Sequence, residues 1–186
     1  MNIEIISGSP RKESVTNRVA LFLQRTLRNR THHEVNMIDV REWGVQCLQE
    51  EIYSSVENAP EEFQPLVKRM LAAEGFIIVS PEYNGSYTAA VKNLFDHFPK
   101  QTHKPFGIVT ASPGALGGIR AALQLQLFIC ALFGIPSPYM LVTPAVEKKF
   151  DTDGNLIDQS FKKATEVFID EYLWLAESLK PEAVYN

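Results

Sequence analysis

Short apolar stretches alternate with helical stretches along this chain, and that alternation limits the possible folds more than any other feature of the sequence. The apolar stretches are bounded by turn residues and are predicted to be strands. These five predicted strands are Asn2–Ser7, His33–Asp39, Phe76–Ser80, Lys104–Ser112 and Pro138–Ala145. Apolar residues recur at helical spacing in the remaining segments. The predicted helices are Val15–Arg30, the segment from Pro60 to Gly75, Thr88–Phe98, Leu116–Phe133 and Phe161–Leu179.

A strict alternation of strand and helix predicts a parallel sheet, because a chain that returns through a helix enters the next strand in the same direction. We therefore expect an α/β fold, a flavodoxin-like doubly wound five-stranded parallel sheet with helices on both faces. A length of 186 residues and a hydrophobic content of 45% suit one domain over residues 1–186, with a tail at about 181–186. The segment Arg41–Ala59 follows neither period and is predicted to be irregular.

Charge and composition exclude several classes of protein. The net charge is −4 and no block of Lys and Arg is present, so nucleic acid is not an expected partner. The apolar run Leu127–Ile135 is too short to cross a bilayer, so we expect a cytoplasmic protein with no membrane partner. Two cysteines make no disulfide framework; Cys130 is predicted to lie in the core and Cys47 in a loop.

The loop after the first strand carries the residues that suit a phosphate monoester. It reads SGSPRKESVTN and offers several hydroxyls, one guanidinium at Arg11, and the free N–H groups of a helix N-terminus. Glu13 stands where a G-x-x-x-x-G-K-[ST] loop has its second glycine, and no G-x-G-x-x-G is present. These features favour a phosphate monoester over a dinucleotide. The alternative is an ordinary helix start with Ser14 as the capping residue.

Two further loops should meet at the same edge of the sheet. SPEYNGSY follows the third strand, where Tyr83 and Asn84 supply a planar ring and an amide that can lie along a flat heterocycle. A plain strand-to-helix turn capped by Ser86 is the alternative. ASPGALGGI follows the fourth strand, and its three glycines imply a close approach of the backbone to a ligand or to the packed sheet.

These three motifs together resemble the NAD(P)H-dependent FMN reductase family, which includes quinone, azo-dye and chromate reductases. The resemblance implies FMN as cofactor and assigns three groups of binding residues. The group expected at the phosphate is Ser9, Arg11, Ser14 and either Thr16 or Asn17. The group expected along the ribityl chain and isoalloxazine is Pro81, Glu82, Tyr83, Asn84 and Gly85. The group expected at the pyrimidine side is Ser112, Gly114, Gly117 and Gly118.

The sequence departs from the family pattern at two positions. Many members have Asn two residues after the equivalent of Ser14, where this chain has Thr16 followed by Asn17. Thr88 stands where Pro is frequent.

A flavin carries the redox chemistry itself, so no catalytic side chain and no metal site is expected. The resemblance implies an oxidoreductase that uses NADPH or NADH to reduce bound FMN and passes electrons to a small-molecule acceptor: a quinone, an azo compound, a metal oxyanion or free flavin. Two alternatives remain open, a flavodoxin-type electron carrier without nicotinamide activity and an organoarsenical oxidase of the same fold.

Three remaining features were interpreted structurally. The four histidines lack metal-ligand spacing, and His97 is expected to face solvent or another subunit. The segment FDTDGNLI predicts a hairpin turn at Asp153-Gly154. Leu116–Phe133 is apolar around much of its circumference, so a homodimer, or a tetramer built from it, is expected. In the alternative, Arg41–Ala59 covers this helix and the chain is a monomer.

Overall fold

A computed structural model describes residues 1–48 and 52–179. The strands are β1 (Asn2–Ser7), β2 (Glu34–Asp39), β3 (Gly75–Ser80), β4 (Pro105–Ala111), β5 (Ile135–Pro136) and β6 (Leu141–Thr143). The α-helices are α1 (Val15–Arg30), α2 (Gln64–Ala72), α3 (Ala89–Asp96), α4 (Ile119–Ala131) and α5 (Lys162–Ser178). Short 3₁₀ turns occupy Glu61–Phe63, Val146–Lys148 and Gln159–Phe161.

The strands form one parallel sheet in the order β2-β1-β3-β4-β5, with β6 also paired to β4. This is the expected doubly wound order of a flavodoxin-like sheet. The predicted fifth strand is in two pieces along the same edge of β4. Ile135 lies opposite Pro105, and Leu141 lies opposite Val109. The sequence prediction placed only the second piece.

The two faces of the sheet have separate cores. Side chains from α2, α3 and α4 pack on one face, and side chains from α1 and α5 pack on the other. Glu4 of β1 is a buried charge in the first face, with only 4% of its surface exposed. Arg69 of α2 donates to both carboxylate oxygens of Glu4, from Nε at 3.0 Å and from Nη2 at 2.6 Å. The pair satisfies the carboxylate inside the core.

Helix boundaries differ from the expectations by a few residues. Gly75 begins β3 rather than ending the preceding helix, and Pro60 precedes a 3₁₀ turn that leads into α2. The hairpin at Asp153-Gly154 is present as a bridge between Phe150 and Leu156, with Gly154 at φ 75°. The predicted tail, 181–186, lies outside the described residues.

Helix α4 buries only part of its apolar surface. Leu125, Phe128 and Ile129 face the core, whereas Leu123 and Leu127 are 50% and 67% exposed. Cys130 is exposed, so its predicted place in the core is wrong. The helix is apolar on several sides, and its sequence period therefore could not identify the side that faces the sheet. In residues 1–48 and 52–179, no helix is both long and apolar enough to span a membrane.

Candidate functional site

Three loops that carry the predicted site residues leave the same edge of the sheet. β1, β3 and β4 are neighbours and parallel, so their carboxyl ends lie side by side. The loop after β1 is here called the phosphate loop (8–14), the loop after β3 the tyrosine loop (81–88), and the loop after β4 the glycine loop (112–118). Ligands of doubly wound folds bind at this edge.

The phosphate loop combines an exposed cation with a helix start. Arg11 is exposed and its guanidinium lies 4.9 Å from the centre of the Tyr83 ring. Within the described residues Arg11 makes no ion pair. Ser14 is the N-cap of α1, with its hydroxyl oxygen accepting from the N–H of Asn17 at 3.2 Å. The loop is thus an ordinary capped helix start that also presents an exposed guanidinium.

The other polar residues of this segment lie deeper. Ser9 is 2% exposed, and its hydroxyl oxygen lies 3.4 Å from the backbone nitrogen of Arg11, which donates to it. Thr16 is also 2% exposed. The Asn17 side-chain oxygen accepts the hydroxyl of Ser7 at 2.9 Å. Asn17 therefore joins α1 to the end of β1, and its amide N–H groups donate to none of the described residues.

Arg41 holds the phosphate loop from outside and was not recognised from the sequence. Its guanidinium pairs with the carboxylate of Asp39 at the end of β2, and Nη1 donates to the carbonyl of Lys12 at 2.9 Å. The bond to Asp39 raises the pKa of Arg41 further above its usual value. The signal available in the sequence was an Asp-x-Arg motif at the end of a predicted strand.

The tyrosine loop contains a tight hairpin turn. Tyr83 and Ser86 exchange both backbone hydrogen bonds, at 2.9 Å and 3.1 Å. The central residues Asn84 and Gly85 have φ of 51° and 83°, the left-handed pair that an Asn-Gly turn adopts. The expectation of Ser86 as a helix cap is wrong, because Thr88 caps α3 instead.

Thr88 joins the tyrosine loop to the phosphate loop. It is 1% exposed, and its hydroxyl donates to the carbonyl of Gly8 at 2.6 Å while accepting from the N–H of Val91 at 3.2 Å. Gly8 has no room for a side chain, since an added Cβ would lie 2.4 Å from Cγ2 of Val91. A hydroxyl at position 88 thus fastens two loops that Pro could not bond.

Glu82 joins the tyrosine loop to the start of α4. One carboxylate oxygen accepts from the backbone N–H of Arg120 at 3.0 Å and of Ala121 at 3.4 Å. The other lies 3.2 Å from the guanidinium nitrogen Nη1 of Arg120. The carboxylate is therefore engaged by the protein, whereas the sequence analysis assigned Glu82 to the ribityl chain and ring.

The three glycines of the glycine loop have different surroundings. A Cβ at Gly117 would lie 2.7 Å from the backbone nitrogen of Pro144, and one at Gly118 would lie 2.9 Å from Cβ of Thr110. Both have positive φ, 61° and 88°. Gly114 is exposed, and a Cβ added there would lie 3.6 Å from its nearest neighbour, the hydroxyl oxygen of Ser112. Packing of the loop against the sheet explains Gly117 and Gly118, and only Gly114 has open space beside it.

The surface that the phosphate, tyrosine and glycine loops share at the carboxyl edge of the sheet is here called the shelf. Arg11, which makes no ion pair among the described residues, and the N-terminus of α1 are groups that suit a phosphate dianion, and Gly114 is exposed on the same edge. A cavity of about 750 Å³ lies elsewhere, beside Tyr53 and His97 at the far end of α3. His97 is 5% exposed and its Nδ1 lies 2.8 Å from the carbonyl oxygen of Asn93, so it does not face solvent, which was one of its two expected surroundings.

The strand order and the helices on both faces define a flavodoxin-like protein, with three loops at the edge of the sheet where ligands of this fold bind. Residues 1–145 match the model of the family described as NADPH-dependent FMN reductase, and the chain belongs to that family. It is accordingly an FMN-dependent oxidoreductase that uses a reduced nicotinamide.

Known proteins resemble the chain in sequence and in fold. An FMN-dependent NADPH-azoreductase of Staphylococcus aureus (strain USA300) is 27% identical over 173 residues, which covers 90% of each chain. The flavoenzyme NAD(P)H:(acceptor) oxidoreductase FerB from Paracoccus denitrificans superposes with a TM-score of 0.74 at 19% identity, covering 95% of this chain and 97% of that one. A flavodoxin variant from Pseudomonas aeruginosa has a TM-score of 0.61 at 16% identity, covering 95% and 99%.

Proposed function

We propose that the protein transfers electrons from NADPH or NADH to azo compounds, quinones, metal oxyanions or free flavin. Bound FMN supplies hydride acceptance from the nicotinamide and electron release to the acceptor. The observation that carries the proposal is the exposed Arg11, which lacks an ion pair among the described residues and lies between a helix N-terminus and the Tyr83 ring.

The protein's own residues bind and orient the cofactor. At the phosphate we propose Ser9, Arg11 and Ser14 with Thr16 or Asn17; Arg11 supplies the charge and the helix N-terminus supplies N–H donors. Backbone and side chains of the tyrosine loop line the ribityl chain and ring, with Pro81 and Glu82 fixing the path of the loop. Ser112, Gly114, Gly117 and Gly118 shape the pyrimidine side.

Azo compounds are proposed as acceptors because the azoreductase of Staphylococcus aureus is similar to this chain over nine-tenths of its length. An open shelf also suits flat molecules of several kinds, which is why quinones and free flavin are included. Since one shelf must serve nicotinamide and acceptor in turn, we expect the two substrates to bind alternately.

The experiment is a titration of the apoprotein with FMN and FAD, followed by initial-rate kinetics with NADPH, NADH and a panel of acceptors. We expect FMN to bind and FAD to be rejected, and double-reciprocal plots to be parallel, as alternate binding requires. Arg11→Ala should weaken FMN binding by about 1.5–3 kcal/mol, the range of a charge-assisted hydrogen bond. Retention of FAD in place of FMN, or intersecting plots, would contradict the proposal.

We further propose that the chain forms a homodimer, or a tetramer built from dimers, through α4. Leu116, Leu123, Leu127 and Phe133 are each at least half exposed. The described part of the Arg41–Ala59 segment packs along α3, where the Asn93 side-chain amide donates to the carbonyls of Val45 and Gln46. It leaves the apolar side of α4 open, which supports a second copy of the chain as its cover.

Light scattering with the Leu127→Glu variant tests this assembly. We expect the wild type at twice or four times the chain mass of 21.0 kDa and the variant as a folded monomer. A wild type that is monomeric and fully active would refute the proposed assembly.

We also propose that residues 1–186 form a single domain and that the protein is cytoplasmic.

A further inference from the structure

We infer that Glu82 and Thr88 are positioning residues that fasten the three loops to one another, so that the flavin shelf is assembled before FMN binds. The inference rests on the proposed function for its ligand. Both residues belong to the tyrosine loop, which lies between the other two because β3 lies between β1 and β4. Glu82 reaches the glycine-loop side, and Thr88 reaches the phosphate-loop side.

The need for Glu82 follows from the start of α4. The N-cap Gly118 has no side chain that could accept a hydrogen bond. At the start of α4, the backbone N–H of Ile119 donates to the carbonyl of Leu116, and the N–H of Ala122 donates to the carbonyl of Gly118. The N–H groups of Arg120 and Ala121 donate to Glu82, a residue 38 positions earlier than Arg120. A carboxylate from another loop thus completes the cap, and its charge is favoured at a helix N-terminus.

The glycine loop is fixed at both ends, and Glu82 acts at the second of them. Its first residue, Ser112, donates its backbone N–H to the carbonyl of Thr143 at 3.1 Å. Its last residue, Gly118, packs on Thr110 and close to Cβ of Glu82, which would lie 3.6 Å from an added Cβ. Moving Glu82 away would uncap α4 and release Gly118 from one neighbour. The exposed Gly114 lies between these two anchors.

The second contact acts on the opposite side of the shelf. The hydroxyl of Thr88 takes the carbonyl of Gly8, and the N–H of Gly8 donates to the carbonyl of Val79 at 2.8 Å. Gly8 is therefore held to β3 through its N–H and to the N-cap of α3 through its carbonyl. Because Arg11 follows three residues later, the same contact limits where the guanidinium can lie.

Hydrogen exchange in the apoprotein tests the inference without FMN. In Glu82→Ala we expect exchange of the backbone N–H groups of Arg120 and Ala121 to accelerate at least tenfold. Arg120→Ala keeps both backbone bonds and removes only an exposed ion pair, so exchange at Ala121 should change less than twofold. Exchange in α5, on the other face of the sheet, should stay unchanged in both variants.

FMN titration supplies the second readout. Glu82→Ala and Thr88→Val should raise the Kd for FMN at least fivefold, and Thr88→Ser should restore it because the hydroxyl returns. The control for a general loss of stability is Arg69→Met, which breaks the buried pair with Glu4 away from the loops. Measured below the unfolding temperature of each variant, its Kd for FMN should stay within twofold of the wild-type value.

Three results would overturn the inference. The first is a Glu82→Ala variant with a raised Kd for FMN but unchanged exchange at Arg120 and Ala121. Glu82 would then be a direct ligand of FMN. The second is a Kd in Arg69→Met that rises as much as in the two loop variants. The third is an unchanged Kd in both loop variants. A wild type that binds no FMN would refute the proposed function, while the exchange rates would still decide whether Glu82 fastens the two loops.

Discussion

Gly117 and Gly114 belong to the same loop, and the structure predicts opposite consequences of replacing them with alanine. At Gly117 a Cβ would lie 2.7 Å from both the backbone nitrogen of Pro144 and Cγ1 of Val142, and φ is 61°. At Gly114 the nearest atom would be at 3.6 Å, and φ lies outside the left-handed region. Gly117→Ala should therefore damage the fold, and Gly114→Ala should spare it.

The magnitudes follow from three terms. A left-handed alanine costs about 1–2 kcal/mol, and overpacking against backbone atoms costs about 1–3 kcal/mol. Loss of glycine entropy in the unfolded chain returns about 0.4–1 kcal/mol. Gly117→Ala should therefore lower the free energy of unfolding by about 3 kcal/mol. Gly114→Ala gains only the entropy term, so the apoprotein should be unchanged or up to about 1 kcal/mol more stable.

Urea unfolding of the two apoproteins measures these values directly. Gly114→Ala should then raise the Kd for FMN by about tenfold, because Gly114 is proposed to lie at the pyrimidine side of the ring, where an added methyl group would take up space that the ligand needs. A loss below about 1 kcal/mol in Gly117→Ala would refute the packing argument. A loss above that value in Gly114→Ala would refute its assignment to the ligand side.

Three further predictions concern the core and pH. The hydroxyl of the buried Tyr172 finds no hydrogen-bond partner among the described residues, so Tyr172→Phe should leave stability unchanged or raise it by up to about 1 kcal/mol in urea unfolding; a loss would contradict the prediction. Burial raises the pKa of Tyr172. Burial, together with the charge of Asp96, raises the pKa of Tyr87 to about 12. Unfolded tyrosine releases its proton near a pH of about 10, whereas the folded protein still keeps these two protons there. The stability that these two phenols contribute should therefore be fully present below that pH and be lost above it. Tyr172→Phe should reduce this loss, and urea midpoints measured across the alkaline range check both expectations. Arg69→Met leaves Glu4 buried without its partner and should lower the free energy of unfolding by about 3 kcal/mol, most of which Glu4→Leu added to it should restore.

The central strands were predictable because a parallel strand covered on both faces is a continuous apolar run. Gly75–Ser80 and Pro105–Ala111 were located to within a residue or two for this reason. Ile135–Pro136 was missed because a two-residue strand that includes a proline gives no period to detect. The exposed position of Cys130 was missed because α4 is apolar on several sides.

The candidate site was predictable to the level of loops and less so to the level of contacts. The Asn84-Gly85 dipeptide is itself a strong signal for the hairpin turn found there, and the sequence contained enough information to predict it. The cap that Glu82 provides to α4 spans 38 positions, so no local pattern could reveal it. The glycines of the third loop indicated a close approach, but only the structure distinguishes the sheet, at Gly117 and Gly118, from open space at Gly114.

Anaerobic mixing of the FMN-loaded protein with NADPH or NADH tests the central claim most directly. The account predicts that the visible absorbance of the oxidised flavin disappears with either or both nicotinamides, and returns when an azo dye or a quinone is added after the nicotinamide has been removed. Arg11→Ala loaded to the same flavin content should show the same cycle, because Arg11 is assigned to phosphate binding alone. A protein whose bound FMN is reduced by dithionite but by neither nicotinamide would contradict the account and would identify an electron carrier.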